Sequence, residues 1–194
     1  DVPHVIWHLD AGVETVRYSS RSGGTWSAFE TVFTSGGTLN EMAACIGSGN
    51  TFHVVFSEGG TMKYVSGTTG AWAASENVDT DAADEKDITV DGAGVVYTVF
   101  YGTLVIAYRQ RSGGVWQARE TVSSNIPALV PTGLSIALDG SGDLHVAWPG
   151  VGTGDQDIRY RKRTGGGWGT ELVVKTHPTS GNNMGPPILV LDDD

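Results

Sequence analysis

Tyr18-Ser-Ser-Arg-Ser-Gly-Gly-Thr-Trp26 returns three times along the chain, as Tyr64-Val-Ser-Gly-Thr-Thr-Gly-Ala-Trp72, Tyr108-Arg-Gln-Arg-Ser-Gly-Gly-Val-Trp116 and Tyr160-Arg-Lys-Arg-Thr-Gly-Gly-Gly-Trp168. In every copy Tyr stands eight residues before Trp and a Gly two before it. A Glu follows Trp by three or four positions, at Glu30, Glu76, Glu120 and Glu171. The four Trp residues are separated by 46, 44 and 52 residues, a period that marks stacked supersecondary units. A Gly-rich turn between short segments rich in Tyr, Trp, Val and Thr reads as a hairpin.

Upstream of each Tyr lies a second β-rich segment: His4-Val-Ile-Trp7, His53-Val-Val-Phe56, Tyr97-Thr-Val-Phe100 and His145-Val-Ala-Trp148. Before these come apolar runs ending in turn residues, from Met42, Ile88 and Leu134. Each unit thus reads as strand A (the apolar run), a tight turn, strand B, a loop, strand C ending near Tyr, a Gly turn and strand D. Four antiparallel strands per unit of this length make the blade of a propeller. The expected fold is therefore all-β, a β-propeller of four four-stranded antiparallel blades in a single domain over residues 1–194. The blades cover approximately 188–194 plus 1–33, 42–78, 88–122 and 134–175.

The first unit has no apolar run of its own. One occurs at the other end, Ile188-Leu-Val-Leu-Asp-Asp-Asp194. In complete units the turn residue lies six positions before the His or Tyr of strand B: Gly47 to His53, Asp91 to Tyr97, Asp139 to His145. Joining Asp194 to Asp1 sets Asp192 six positions before His4. The C-terminal strand is thus expected to complete the first blade, either of its own chain or of a neighbouring copy in a filament or larger ring.

Composition is consistent with this architecture and narrows the partners. With 28 Gly and no run of helix formers, turns are frequent and helices scarce. A formal net charge of −10 argues against nucleic acid and anionic membranes, both of which call for a basic face. No apolar stretch approaches a membrane span. The chain starts at Asp1, which reads as a mature product or an excised piece. Few Lys, many Gly, Ser and Thr and the acidic balance point to a secreted or cell-surface location. Cys45, the single cysteine, sits in an apolar stretch and reads as a core residue.

Between strands C and D the stretches Ser20 to Trp26, Ser66 to Trp72, Gln110 to Trp116 and Lys162 to Trp168 resemble the Asp-box (BNR) repeat of sialidase-like propellers, Ser-x-Asp-x-Gly-x-Thr-Trp. Gly and Trp match in all four. The Asp is replaced by Ser22, Thr68, Ser112 or Thr164, so the boxes are degenerate. The resemblance implies a propeller and says little of activity, because Asp-boxes lie on the face opposite the active site in that family.

A sialidase needs an arginine cluster on inner strands together with a Tyr/Glu pair and an acid. The eight arginines here fall beside the strand C tyrosines (Arg17, Arg109, Arg159, Arg161), in the C–D turns (Arg21, Arg111, Arg163) and on strand D (Arg119). None is on strand A, and the expectation is that the chain is not an enzyme. His4, His53 and His145 share one repeated position with Tyr97, as a packing or turn-bonding role requires, and the repeated Trp residues read as wedges between neighbouring strands or blades. No Ser/His/Asp set, paired-His metal motif or phosphate loop is present. No cofactor is expected, although Asp139-Gly-Ser-Gly-Asp143 and Asp192 to Asp194 are turns that could hold Ca²⁺.

The A–B and C–D turns are short and regular, whereas the B–C and D–A connections vary and emerge together on one face. Variable loops on a rigid scaffold are where recognition sits. Those loops carry most of the acidic charge. The candidate ligand-binding residues are Asp10, Glu14, Glu58, Asp81, Asp84, Asp155 and Asp157, within a set that also includes Glu41, Asp79 and Glu85. The reading is a non-catalytic extracellular module that binds a glycan or a protein through this face. The alternatives are a structural subunit that self-associates through its C-terminal strand, and a degenerate sialidase-like glycoside hydrolase fragment.

Overall fold

The computed structural model describes residues 2–123, 133–151, 156–176 and 185–192, without the side chains at 82–84, 151 and 156. The chain is an all-β propeller fold of four antiparallel sheets, one per repeat. The first blade holds β1 (His4–Leu9), β2 (Thr15–Ser22), β3 (Thr25–Trp26) and β4 (Glu30–Thr34). The second holds β5 (Leu39–Ile46), β6 (Phe52–Glu58), β7 (Thr61–Thr68), β8 (Ala71–Trp72) and β9 (Glu76–Asp79). The third runs β10 (Ala82–Val90), β11 (Val96–Gly102), β12 (Val105–Ser112), β13 (Val115–Trp116) and β14 (Glu120–Ser123). The fourth runs β15 (Ser135–Leu138), β16 (Leu144–Val151), β17 (Gln156–Thr164), β18 (Gly167–Trp168) and β19 (Leu172–Thr176).

The outer strand of each blade is in two pieces on the same neighbour: β7, for example, pairs with β8 through Trp72 and with β9 from Glu76. The inner strands of the second and third blades start earlier than their apolar runs. They continue pairing through bulges, between Asn40 and Met42 and between Ala82 and Lys86.

Strand alternation sends successive side chains to opposite neighbours. Phe52, Val54 and Phe56 of β6 pack with Val16, Tyr18 and Val32 of the first blade, while Val55 packs with Ile88 and Phe100 of the third. A third cluster joins Tyr108 and Val122 to Ile136, Val146 and Trp148 of the fourth blade. Among the described residues the core is thus three interblade layers. Among the described residues, none joins the fourth blade to the first.

The repeated residues make the same contact three times. Tyr18 meets Trp72, Tyr64 meets Trp116 and Tyr108 meets Trp168, each edge-on with ring centroids 5.5, 5.4 and 5.5 Å apart. Such pairs add to burial because the positive ring edge faces the negative π-face. Beside each pair a Glu accepts bonds from the next blade. Glu30 takes Gly70 N–H (2.8 Å) and Trp72 Nε1 (3.1 Å), and Glu76 takes Arg111 (3.0 and 2.6 Å). Glu120 takes both Arg163 (3.2 and 2.7 Å) and Trp168 Nε1 (2.9 Å). Glu171 departs from this series. It is Leu172 that stands opposite Tyr160, where the other blades place Glu opposite Tyr, and Glu171 turns to Ser123 and Arg159. The strand B histidines bond the strand C tyrosine of their own blade: His4 to Tyr18 (2.9 Å), His53 to Tyr64 (2.6 Å), His145 to Tyr160 (2.7 Å).

Of the two closures expected of the C-terminal segment, the one within its own chain is not what the structure describes: among the described residues β1 pairs with β2 alone. Residues 185–192 lie instead along the fourth blade, with Leu189 N–H donating to Ser135 Oγ (3.1 Å). Counting back from Asp91, Asp139 and Asp192, this bond repeats the one from Ile136 N–H to Asp87 Oδ2 (2.9 Å) between the inner strands of the third and fourth blades. The tail therefore occupies the inner-strand place of a blade following the fourth. The physical reason is that its inward apolar residues find a covered seat on the fourth blade, whereas β1 is at the opposite end of the stack.

Candidate functional site

The loop ends of the first and second blades are braced by two carboxylates. Glu14, in the β1–β2 loop, accepts Leu39 N–H (2.6 Å) and pairs with His8 Nε2 (2.9 Å). Glu58, at the end of β6, accepts Ser35 Oγ–H and Gly36 N–H (2.9 Å) and pairs with Lys63 (2.9 Å). Burial opposes ionisation of Glu58, but the bonds from Ser35, Lys63 and Gly36 outweigh it and hold the carboxyl below its ordinary value.

Two hollows meet at the His8–Glu14 pair. One, of about 460 Å³, is lined by the loops from Gly12 to Glu14 and from Ser35 to Thr38. The other, of about 250 Å³, has Val16, Leu39, Met42 and Phe56 as an apolar floor and His8, Asn40 and Glu41 as a polar rim. Glu41 sits in the β5 bulge with φ of 29°, a left-handed backbone that a side-chain-bearing residue adopts at a cost. The extra residue of a bulge re-aims a side chain. Here it brings Glu41 to the rim, while its carbonyl accepts Lys86 Nζ (3.1 Å).

The other candidate carboxylates are placed differently. Asp81 accepts Thr103 Oγ1–H and pairs with Arg119 (2.9 Å), which together lower its pKa. Asp79, buried beside it, faces Arg109 (3.3 Å) and Arg119 (3.4 Å). Asp157 is buried against Arg159 (3.0 Å) in the fourth blade. Asp10 is exposed. Asp155 and the Asp84 side chain lie outside the described residues. The structure thus brings Glu14 and Glu58 together across one pair of blades and leaves Asp81 and Asp157 in separate ion-paired networks. Sequence reasoning did not single out His8 or Asn40 and grouped Glu41 only with the general loop charge. The signal for Glu41 is a charged residue interrupting the alternation of an inner strand.

Of the two Asp turns considered for Ca²⁺, the structure describes one in full. In Asp139 to Asp143 the Asp139 carboxylate accepts Ser141 and Asp143 N–H (2.9 and 2.8 Å) and His145 Nε2 (3.0 Å), and Lys162 bridges both acids (3.1 and 3.0 Å). Lys162 provides the positive charge of that turn. Asp193 and Asp194 lie outside the described residues. No group of three or more metal-ligating side chains occurs among the described residues. Asp87 is a carboxyl held above its ordinary value, by burial, and it accepts N–H bonds from Ile88 and Ile136 between two blades. Nearby Cys45 is pushed up to about 12 by burial and by Asp87, so its thiol stays protonated. No helix among the described residues is long and apolar enough to cross a membrane.

No protein-family model matches the sequence, and no curated protein matches it. Solved structures do resemble it. AofleA from Arthrobotrys oligospora, as a mutant with three arginines changed to alanine, superposes with a TM-score of 0.65 at 12% identity, over 89% of this chain and 54% of that one. A point mutant of NanB sialidase from Streptococcus pneumoniae gives 0.55 at 18% identity over 77% and 26%. The catalytic domain of the GH62 α-L-arabinofuranosidase of Coprinopsis cinerea gives 0.55 at 10% identity over 98% and 70%. The chain spans about half the length of AofleA. At these identities the likeness concerns the fold, and what the chain shares with its solved neighbours is the propeller architecture.

Proposed function

We propose that this chain is a non-catalytic, lectin-like module of a secreted or surface protein that binds a glycan over the hollows between its first and second blades. The observation that carries the reading is the smaller hollow. An apolar floor of Leu39, Met42 and Phe56 lies under Asn40, His8 and the strained Glu41. Sugars offer such a site an apolar ring face and a rim of hydroxyls, and a few convergent polar groups over apolar walls are the usual form of a small-ligand site. Two of the named neighbours act on carbohydrates, a sialidase and an arabinofuranosidase, and this makes glycans the first ligand class to try.

A glycosidase keeps one carboxylic acid protonated beside the scissile bond; among the described loop-face acids, Glu58 and Asp81 are held below their ordinary value by their hydrogen-bond donors, which suits a fixed polar rim. The test is a glycan array followed by titration calorimetry of the best hit. Asn40→Ala and Glu41→Ala are each expected to weaken binding at least tenfold. Turnover of a chromogenic sialoside or arabinofuranoside, or a hit indifferent to both substitutions, would overturn the reading.

A further inference from the structure

The two ends of the blade stack are the two halves of an interface that the chain already builds three times. Val32, Val78 and Val122 are one repeat position and are 6%, 2% and 0% exposed under the following blade; the fourth, Val174, is 63% exposed. On the opposite face, Val54 and Val146 are fully buried against the preceding blade, and their counterpart Val5 is 44% exposed. Trp26 is half-exposed, although Trp72 and Trp168 each meet a Tyr and a Glu of the blade before. Val5, Trp7, Ser19 and Trp26 line an apolar hollow of about 350 Å³.

The tail completes the complementarity. It alternates, with Leu189 and Leu191 half-buried on the fourth blade and Ile188 and Val190 exposed at 86% and 82%. Its seat is specific: Pro186 approaches so closely that a Cβ on Gly133 would lie 2.2 Å from it. At the other end β1 has a free inner edge, and beside it lies a hollow of about 310 Å³ lined by His4 and Ile6 of the first blade and Ala44, Cys45, Ile46 and Phe52 of the second. A missing inner strand of the first blade would run there. In the fourth blade Ile136 opposes Val146 and Ala137 opposes His145. The same register sets Leu189 opposite Val5 and Val190 opposite His4, which sends Ile188 and Val190 towards the second blade.

We propose that the fourth blade and tail of one copy dock onto the first blade of a second copy. The tail then supplies the inner strand of that blade, and Tyr160 and Val174 cover Trp26, Trp7 and Val5. The contact is head-to-tail, so copies form a closed ring if the rotation closes and an open array if it does not. The interface is more apolar than the three internal ones, because Leu172 stands where Glu30, Glu76 and Glu120 hold the next blade. Pairing also removes an open sheet edge.

The test combines light scattering with strand trapping on the full chain. The native protein is expected at integer multiples of 20.4 kDa. Val174→Lys and Trp26→Glu alter residues exposed in the single chain and are expected to return it to one mass with its fold unchanged by circular dichroism. In a Cys45→Ala background, chains carrying V5C alone, mixed with chains carrying L189C alone, should form a covalent dimer on oxidation. A single-chain mass at every concentration overturns the proposal. So does a V5C/L189C double variant that closes only within one chain.

Discussion

Val122→Ala removes two methyl groups from a side chain that is wholly buried between the third and fourth blades, packed in the layer with Tyr108, Ile136 and Trp148. At about 0.8 kcal/mol per buried carbon the transfer loss is roughly 1.6 kcal/mol, and the unfilled space adds up to about 1 kcal/mol. The expected destabilisation is thus about 2–3 kcal/mol, and Val78→Ala and Val32→Ala should fall close to it. For a chain of this size, about 2–4 °C per kcal/mol converts that into a fall in Tm of roughly 4–12 °C. Val174→Ala is the control that gives the series its meaning. Introduced into chains held as single copies by Trp26→Glu, it should change stability by less than about 0.5 kcal/mol, the usual effect of a surface substitution. Urea unfolding followed by Trp fluorescence and by circular dichroism measures all four, with agreement of the two probes checking that a repeat architecture still unfolds in one step. Equal losses at Val122 and Val174 in the single chain would refute the description of the fourth blade as an open face. So would a loss below about 0.5 kcal/mol at Val122.

Further outcomes follow from the clasps and the site. Glu120→Ala removes the acceptor shared by Arg163 and Trp168 and should cost about 1–2 kcal/mol after allowance for its partial exposure, with a double-mutant cycle against Arg163→Ala giving a nonzero coupling. His53 is held below the ordinary histidine value by burial and by Arg111. The unfolded chain therefore takes up the proton first, so the stability contributed by neutral His53 is complete above about pH 6.5 and is lost as pH falls below it; His53→Gln should flatten that limb of a Tm–pH profile. Glu58 and Asp81 are shifted down, and their contribution, complete above about pH 4, should fade as acid protonates them, giving a second, lower limb. Glu41→Gly relieves a left-handed backbone and should leave stability unchanged or raise it by up to about 1 kcal/mol while glycan binding is lost, which calorimetry separates.

The blades were legible in the sequence because each is a local object. Tyr18 and Trp26 lie eight residues apart across one Gly turn, and such spacing encodes a hairpin without knowledge of anything beyond it. Four strands per blade and the packing role of the Trp residues follow from that period, whereas the bonds from the strand B histidines to the strand C tyrosines were found only in the structure. The position of Glu171 escaped the same reasoning. Counting from Trp168 made it the fourth member of a series, whereas strand pairing places Leu172 opposite Tyr160.

What the tertiary structure alone decided lies between segments distant in sequence. Loop carboxylates looked like a free acidic face, yet Glu58 closes on Ser35, Asp79 and Asp81 on Arg109 and Arg119, and Asp157 on Arg159, because strand C and D bases reach the same end of the blades. The bulge that raises Glu41 depends on the pairing of β5 with β6, which no composition of β5 by itself reveals. The tail shows the division clearly. Its register as an inner strand could be counted from Asp192 back to Ile188, since strand periodicity is a property of the segment. Its place on the fourth blade rather than beside β1 depends on which apolar surface lies within reach, and that follows from the stacking of whole blades.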